Sequence, residues 1–300
     1  MSGPLRILTV DVEDWFHILD NEATASLENW RNFPSRVEAQ TIRLLDLFDQ
    51  YSCRATFFVL GFIAREHPQL VLEISRRGHE IATHGDMHQL VYRQRPDDFE
   101  ADLIRSLEAI TATGAGTPTA YRAPGFSITL DELWSFDILL RNGIETDASL
   151  FPAARAHGGI SSFACSEPCV VETSDGFRLR SFPMSVAQIG STPFVFSGGG
   201  YFRLAPALIL HQLFARQKYV MTYFHPRDFD PDQPMVPGLT PIRKFKSYAG
   251  LRGAFKKLES LLNAFEFMSL GQAEAITDWE SAPVVDVKRL KSRQRNEREG

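Results

Sequence analysis

Cysteine is scarce in this sequence: Cys53, Cys165 and Cys169 are the only three in 300 residues. So sparse and odd a set excludes a disulfide framework and suits a reducing compartment, so a cytoplasmic location is expected. The pair in CSEPC has no second cysteine pair or nearby histidine to complete a zinc site, which leaves ordinary loop cysteines as the better reading. A basic excess is missing too, since 32 Lys and Arg against 37 Asp and Glu give a net charge of -5 and a pI near 5.9. That balance offers no basic surface of the kind nucleic acid or anionic lipid requires, so both are disfavoured as partners. No apolar run reaches the roughly 20 residues that cross a bilayer, so membrane insertion is not expected. The first residues show no charged region, apolar core and cleavage site of a signal peptide. Internal repeats of useful length are absent as well.

What is present is an alternation. ILTV opens as a strand, and PSRVEAQTIRLLDLFDQYSC carries Val37, Ile42, Leu44, Leu45 and Phe48 at helical spacing. ATFFVLGFIA reads as a buried strand, PQLVLEISRRGHE as a helix ending near Gly78, and EIATHG as a short strand. Helices in DDFEADLIRSLEAITATG, DELWSFDILLRNG and PALILHQLFARQ continue the rhythm, with strand ends at AYRAPG, IETDASLFP and YVMTYFHP. Such alternation predicts an α/β fold with a parallel sheet covered by helices, and the lack of a linker favours a closed or nearly closed (β/α) barrel over two domains. Residues 155–202 break the rhythm and predict a small β-rich insertion. Within it GGGYFR lacks the Lys-Ser/Thr of a phosphate loop, and is read as a turn that brings backbone close to a substrate. The tail VKRLKSRQRNEREG is charged and nearly devoid of apolar residues. The catalytic domain is therefore drawn as 1–280 and residues 281–300 as a disordered tail.

Reactive side chains gather where strands end. THGDMH sets His84 and His88 four residues apart, able to share a metal, although this spacing alone is weak without the glutamate of a zincin motif. DVEDWFH crowds Asp11, Glu13, Asp14, Trp15 and His17 behind the first strand, and along an extended strand Asp11 and Glu13 face one way and Asp14 the other. Two histidines and one carboxylate form a facial set that leaves positions open for water and substrate. YRAPGF supplies Arg122, and YFHPRDF supplies His225. Trp15 and Phe16 are balanced between a sugar-stacking wall and the core.

The ordered series DVEDWF, THGDMH, YRAPGF, TDASLFP and YFHPRDF resembles the motifs of the NodB-homology polysaccharide deacetylases, carbohydrate esterase family four, over residues 7 to about 232. DVED in place of TFDDG, together with GGGYFR, is similar to a branch with cytoplasmic peptidoglycan-deacetylase-like, allantoinase-like and exopolysaccharide-locus proteins. The resemblance implies a distorted (β/α) barrel. It also implies a divalent metal, zinc first with cobalt, nickel or iron as alternatives, held by His84, His88 and a carboxylate of the first motif. Aligning Asp14 with the last Asp of TFDDG makes it the ligand and leaves Glu13 or Asp11 as base, while a D-x-D register makes Asp11 the base and Glu13 the ligand. Asp11 as base and Asp14 as ligand is the assignment adopted here, with Glu13 as the alternative ligand. His225 is then the acid that protonates the leaving amine, Asp147 its partner, and Arg122 the cation beside the base. Gly125, Phe126 and Trp15 are the substrate contacts, with a backbone N–H near Phe126 available to an oxyanion.

The expected activity is removal of N-acetyl groups from an amino sugar in glycan or exopolysaccharide biosynthesis. The expected partner is an N-acetylated sugar or oligosaccharide, with homo-oligomerisation left open. Three rival readings stand beside it: hydrolysis of a small amide by an allantoinase-like or deformylase-type enzyme, a carbohydrate-binding protein without catalysis, and an iron oxygenase built on two histidines and a carboxylate. The last gives Arg122 and His225 no clear task.

Overall fold

The computed structural model describes residues 3–154, 157–163, 165–189 and 192–290. The opening run forms β1 (Leu5–Ile7) and β2 (Thr9–Val12), followed by β3 (Thr56–Val59), β4 (Glu80–Thr83), β5 (Ala120–Tyr121) and β6 (Thr146–Asp147). Next come β7 (Cys169–Glu172), β8 (Arg178–Ser181), the hairpin β9 (Ala187–Ile189) and β10 (Thr192–Phe194), then β11 (Tyr219–Met221) and β12 (Val284–Asp286). Strands β2, β3, β4, β5, β6 and β8 lie side by side in parallel, with β7 antiparallel to β8 and β12 parallel to β7. On the other margin β1 pairs in parallel with β11, and Val10 bridges to Phe224. The α/β class expected from the alternation is therefore present.

The sheet curls, which brings β11 against the segment that follows β8. Just beyond β8, Ser185 Oγ accepts the Met221 N–H at 2.7 Å and the Pro183 carbonyl accepts the Tyr219 hydroxyl at 2.6 Å. Among the described residues, side-chain bonds rather than a backbone ladder span that gap between β8 and β11.

Residue parity explains what the curl encloses, because successive side chains on a strand point to opposite faces. Val10 and Val12 of β2, with Phe57 and Val59 of β3, pack outward against Leu44, Phe48 and other helix side chains. Phe58 points inward and joins Ile7, Ala82, Ala148 and Met221 in a separate inner cluster. Asp11 has the opposite parity to Val10 and Val12, so its carboxylate enters the interior. The helix Val37–Gln50 buries Val37, Leu44, Leu45 and Phe48 as its spacing predicts.

Two boundaries differ from expectation. Residues 155–202 are no separate insertion, because β7 and β8 belong to the main sheet and only the β9–β10 hairpin stands apart. The tail reading fails for its first half: β12 pairs with β7, and Val287 is fully buried in the second apolar cluster, so ordered structure runs past 280. Residues 291–300 of that tail lie outside the described residues.

Candidate active site

Strands β2 and β4 and the turn after β11 end at one mouth and place their reactive residues there. Glu13 follows β2 with the same parity as Asp11, and its Oε1 lies 3.0 Å from His84 Nε2 and 2.9 Å from His88 Nε2. His84 leaves β4 directly. His88 turns back on a left-handed backbone, φ 53°, a strained conformation for histidine that aims its ring at the same oxygen. The pair sits in a loop rather than on a helix, so their convergence comes from this turn and not from helical periodicity.

The tautomer of His84 is set from behind. Its Nδ1–H donates to the Arg122 carbonyl at 2.7 Å, so the neutral ring offers a lone pair at Nε2. That lone pair faces a carboxylate oxygen at hydrogen-bond distance, as does His88. Electron-rich atoms converging in a buried site need a cation or a proton between them, and the donor set of two imidazoles and one carboxylate suits a divalent metal. Burial acts to raise the Glu13 carboxyl, but the His88, His225 and His84 imidazoles facing it outweigh that and hold it well below the usual range.

Asp11 lies deeper. Its Oδ1 accepts from Arg122 Nη1 at 2.6 Å, and Oδ2 is 3.9 Å from His225 Nε2. Arg122 is fully buried, also donates to Thr9 Oγ1 at 2.7 Å, and lies 4.1 Å above the Phe58 ring. Directly after β11, His225 presents Nε2 at 3.7 Å from Glu13 Oε1 while Nδ1–H donates to Asp228 Oδ2 at 3.0 Å. Burial acts to lower the His225 imidazole, yet Glu13, Asp228 and Asp11 together raise it to about 9, so it is charged at neutral pH. A cavity of about 280 Å³ opens over the group, lined by Glu13, His88, Gly125, Gly199, His225 and Arg227 among others. A second cavity of about 570 Å³ adjoins it and shares His17 and His88.

Four assignments are corrected by this geometry. Asp14 lies outside the cluster: its carboxylate accepts the backbone N–H groups of Trp15, Arg36 and Val37 and the Ser35 hydroxyl, which fastens the start of the helix Val37–Gln50. Asp147 is not the partner of His225. Its carboxylate accepts Ser149 N–H, Leu150 N–H and Ser181 Oγ–H in a turn of its own, and burial raises it to about 6 against those bonds. Trp15 is 2% exposed, packs edge-on to Phe16 and Phe33 and donates to the Pro34 carbonyl, so it is core rather than a sugar platform. The Phe126 N–H already donates to the Ala123 carbonyl at 3.0 Å, which removes it as an oxyanion donor, while Gly125 does line the cleft.

Sequence reasoning also passed over residues that the fold brings in. Asp228 stands three residues after His225 in HPRDF, and that short separation was the available signal. Arg203 approaches Asp228 at 3.5 Å from the helix Gly199–Leu204. His17 accepts the Asp14 N–H at Nδ1, which leaves its proton on a buried Nε2 without a partner among the described residues; burial and His88 hold it down to about 3. In GGGYFR, a Cβ on Gly198 would stand 2.2 Å from the Tyr223 carbonyl, so that glycine serves a close backbone crossing, and Gly199 lines the cleft.

Carboxylates and imidazoles at the strand ends of a mixed α/β sheet form one cluster suited to a metal, and comparison with known proteins gives its relatives. Residues 32–135 match the polysaccharide deacetylase family, and residues 148–275 match a domain family described as of unknown function, DUF3473. A peptidoglycan-N-acetylglucosamine deacetylase of Bacillus cereus is 27% identical over 119 residues, 36% of this chain and 43% of that protein. A chitooligosaccharide deacetylase of Rhizobium leguminosarum bv. trifolii is 32% identical over 149 residues, 50% of this chain and 64% of that protein. A peptidoglycan deacetylase of Helicobacter pylori is 34% identical over 110 residues, 36% of each chain. The chain thus spans only 36% to 43% of the length of the Bacillus cereus and Helicobacter pylori relatives. A solved structure from Mycobacterium smegmatis, classed by name with the polysaccharide deacetylases, shares the fold at a TM-score of 0.59 and 18% identity, covering 98% of this chain and 95% of that one. Residues 32–135 thus carry a polysaccharide deacetylase domain, the NodB-homology type that the motif series resembles. No helix of the described residues is long and apolar enough to cross a membrane.

Proposed function

We propose that the protein is a metal-dependent hydrolase that removes acetyl groups from an N-acetylated amino sugar, within a glycan related to those named for its relatives. The observation that carries this reading is the convergence of His84, His88 and Glu13 on one point, 3.0 and 2.9 Å from a shared carboxylate oxygen. An acetamide resists water because its carbonyl is resonance-stabilised and its amine leaves poorly. Glu13, His84 and His88 would hold the ion, which when bound polarises the carbonyl and acidifies water.

The remaining work falls to the chain. Asp11, held by the Arg122 guanidinium, accepts a proton from the attacking water. His225, kept charged and aimed by Asp228, donates its Nε2 proton to the amine as the carbon–nitrogen bond breaks. Gly125 and Gly199 leave room for a pyranose ring above the carboxylates. The division of labour assigns Glu13 to the metal and Asp11 to the base, with Asp14 structural.

Acetate release from chitooligosaccharides and from peptidoglycan fragments tests the activity. Wild-type protein loaded with zinc is expected to release acetate, and chelation to abolish it. Turnover of cyclic ureides or formamides without acetate release would instead favour the small-amide reading.

A further inference from the structure

The helix Pro241–Tyr248 buries none of its residues, which is unusual for a helix carrying Ile and Phe. Ile242 and Phe245, three apart on one face, are 68% and 61% exposed. Exposed Leu204 lies on the neighbouring helix, whose Arg203 guanidinium donates to the carbonyls of Lys246 and Ser247, and exposed Met235 lies beside the Tyr248 hydroxyl's partners Pro234 and Val236. Scattered apolar residues on a surface need no explanation, but a cluster rimmed by charge of one sign does.

That charge is positive. From Gln233 to Leu258 the chain carries Arg243, Lys244, Lys246, Arg252, Lys256 and Lys257 and not one acidic residue, within a protein whose net charge is -5. None of the six forms an ion pair among the described residues; Arg243 donates only to the carbonyls of Leu19 and Asp20, and Lys257 to those of Arg203 and Ala205. Arg243 and Lys246 also line the catalytic cleft, so the surface continues into its rim.

We propose that the helix Pro241–Tyr248 and the apolar residues beside it are a docking surface for an anionic phospholipid bilayer. Ile242 and Phe245 would enter the headgroup region while Lys244 and its basic neighbours meet lipid phosphate, the arrangement by which amphipathic helices lie in an interface plane. Docked in this way, the cleft opens beside the membrane. The whole-chain acidity that disfavours anionic lipid conceals a basic segment opposed by no acidic residue of its own.

Sedimentation of the full chain with vesicles tests this. Binding is expected to vesicles of equal parts phosphatidylglycerol and phosphatidylcholine, weakened by added salt, and not to phosphatidylcholine alone. Ile242→Ser/Phe245→Ser is expected to lower the partition coefficient by roughly tenfold or more, from the apolar area it withdraws, and Lys244→Glu to lower it further. Failure to sediment with the mixed vesicles, or undiminished binding by the double variant, would overturn the proposal. So would a concentration-dependent dimer in analytical ultracentrifugation that the double variant abolishes, since the surface would then belong to a second copy. Acetate release from a soluble chitooligosaccharide, measured alongside, should be the same for wild type and double variant. Its absence in the wild type would count against the deacetylase reading and leave the vesicle result standing.

Discussion

Replacing Arg122 by methionine keeps the bulk of the side chain and removes its charge, leaving Asp11 buried without its cation. Removing one member of a buried, hydrogen-bonded ion pair costs about 3–5 kcal/mol, because the survivor stays desolvated. Two local features bear on the figure. The stacking of the guanidinium at 4.1 Å over Phe58 adds to what is lost, whereas Arg122 Nη2 has no partner among the described residues, so the native arrangement already carries an unsatisfied donor. These offset one another, and a loss of about 3 kcal/mol is expected, equivalent to a urea midpoint lower by at least about 1 M. The backbone carbonyl that orients His84 is untouched, so the histidine pair should persist. Equilibrium unfolding in urea with a chelator, which removes stabilisation by bound metal, is the assay. In Asp11→Asn/Arg122→Met the stranded charge is gone, and a coupling energy of about 2 kcal/mol is expected in the double-mutant cycle. Additivity within about 0.5 kcal/mol would refute the claim that Arg122 and Asp11 act as a coupled buried pair.

Three other outcomes follow from the same geometry. Glu13→Gln should lose metal on dialysis and lose turnover, whereas Asp14→Asn should keep both and cost about 1–2 kcal/mol of stability through the weakened helix start; metal analysis showing the reverse would restore Asp14 as ligand. Asp147, raised to about 6 in the fold from an ordinary carboxyl near 3.8, binds more protons folded than unfolded between those values. Stability should therefore fall by about 3 kcal/mol as pH rises from about 4 to about 6, a slope that Asp147→Asn should remove from pH-dependent melting curves. Asp228→Asn should lower kcat by about 10²-fold or more and shift the alkaline limb of the rate profile downward as His225 loses a counter-charge, with KM little changed; an unaltered alkaline limb would mean that Asp228 does not govern His225.

Strand parity carried the sequence reading furthest. Val10 and Val12 needed an apolar face, so Asp11 and Glu13 had to share the other, and the fold places them there. The partner of Asp14 was hidden because it consists of backbone amides at Arg36 and Val37, more than twenty residues away, which no pattern around Asp14 encodes. Trp15 was ambiguous for a similar reason, since its wall is Phe16, Phe33 and the Pro34 carbonyl rather than solvent. Asp147 was misplaced because the amides of its own strand-end turn satisfy it locally, while Asp228, nearer His225 in sequence, accepts the imidazole Nδ1–H. Whole-chain charge averages over a 26-residue stretch with six cations and no carboxylate, which composition alone does not reveal.

The join between the two matched families lies between residues 135 and 148, and it is no seam in the molecule. Tyr121 on one side pairs with Asp147, whose strand runs on into Ala148 on the other; His84 and His88 come from the first family's segment, His225 from the second, and Glu13 from before either. A candidate site divided in this way is not expected to assemble from either segment alone. In the proposed mechanism the segment of unknown function carries the acid, His225, and it also contributes β7, β8 and β11, which makes it the complement of the deacetylase segment, and the whole should melt as one cooperative unit.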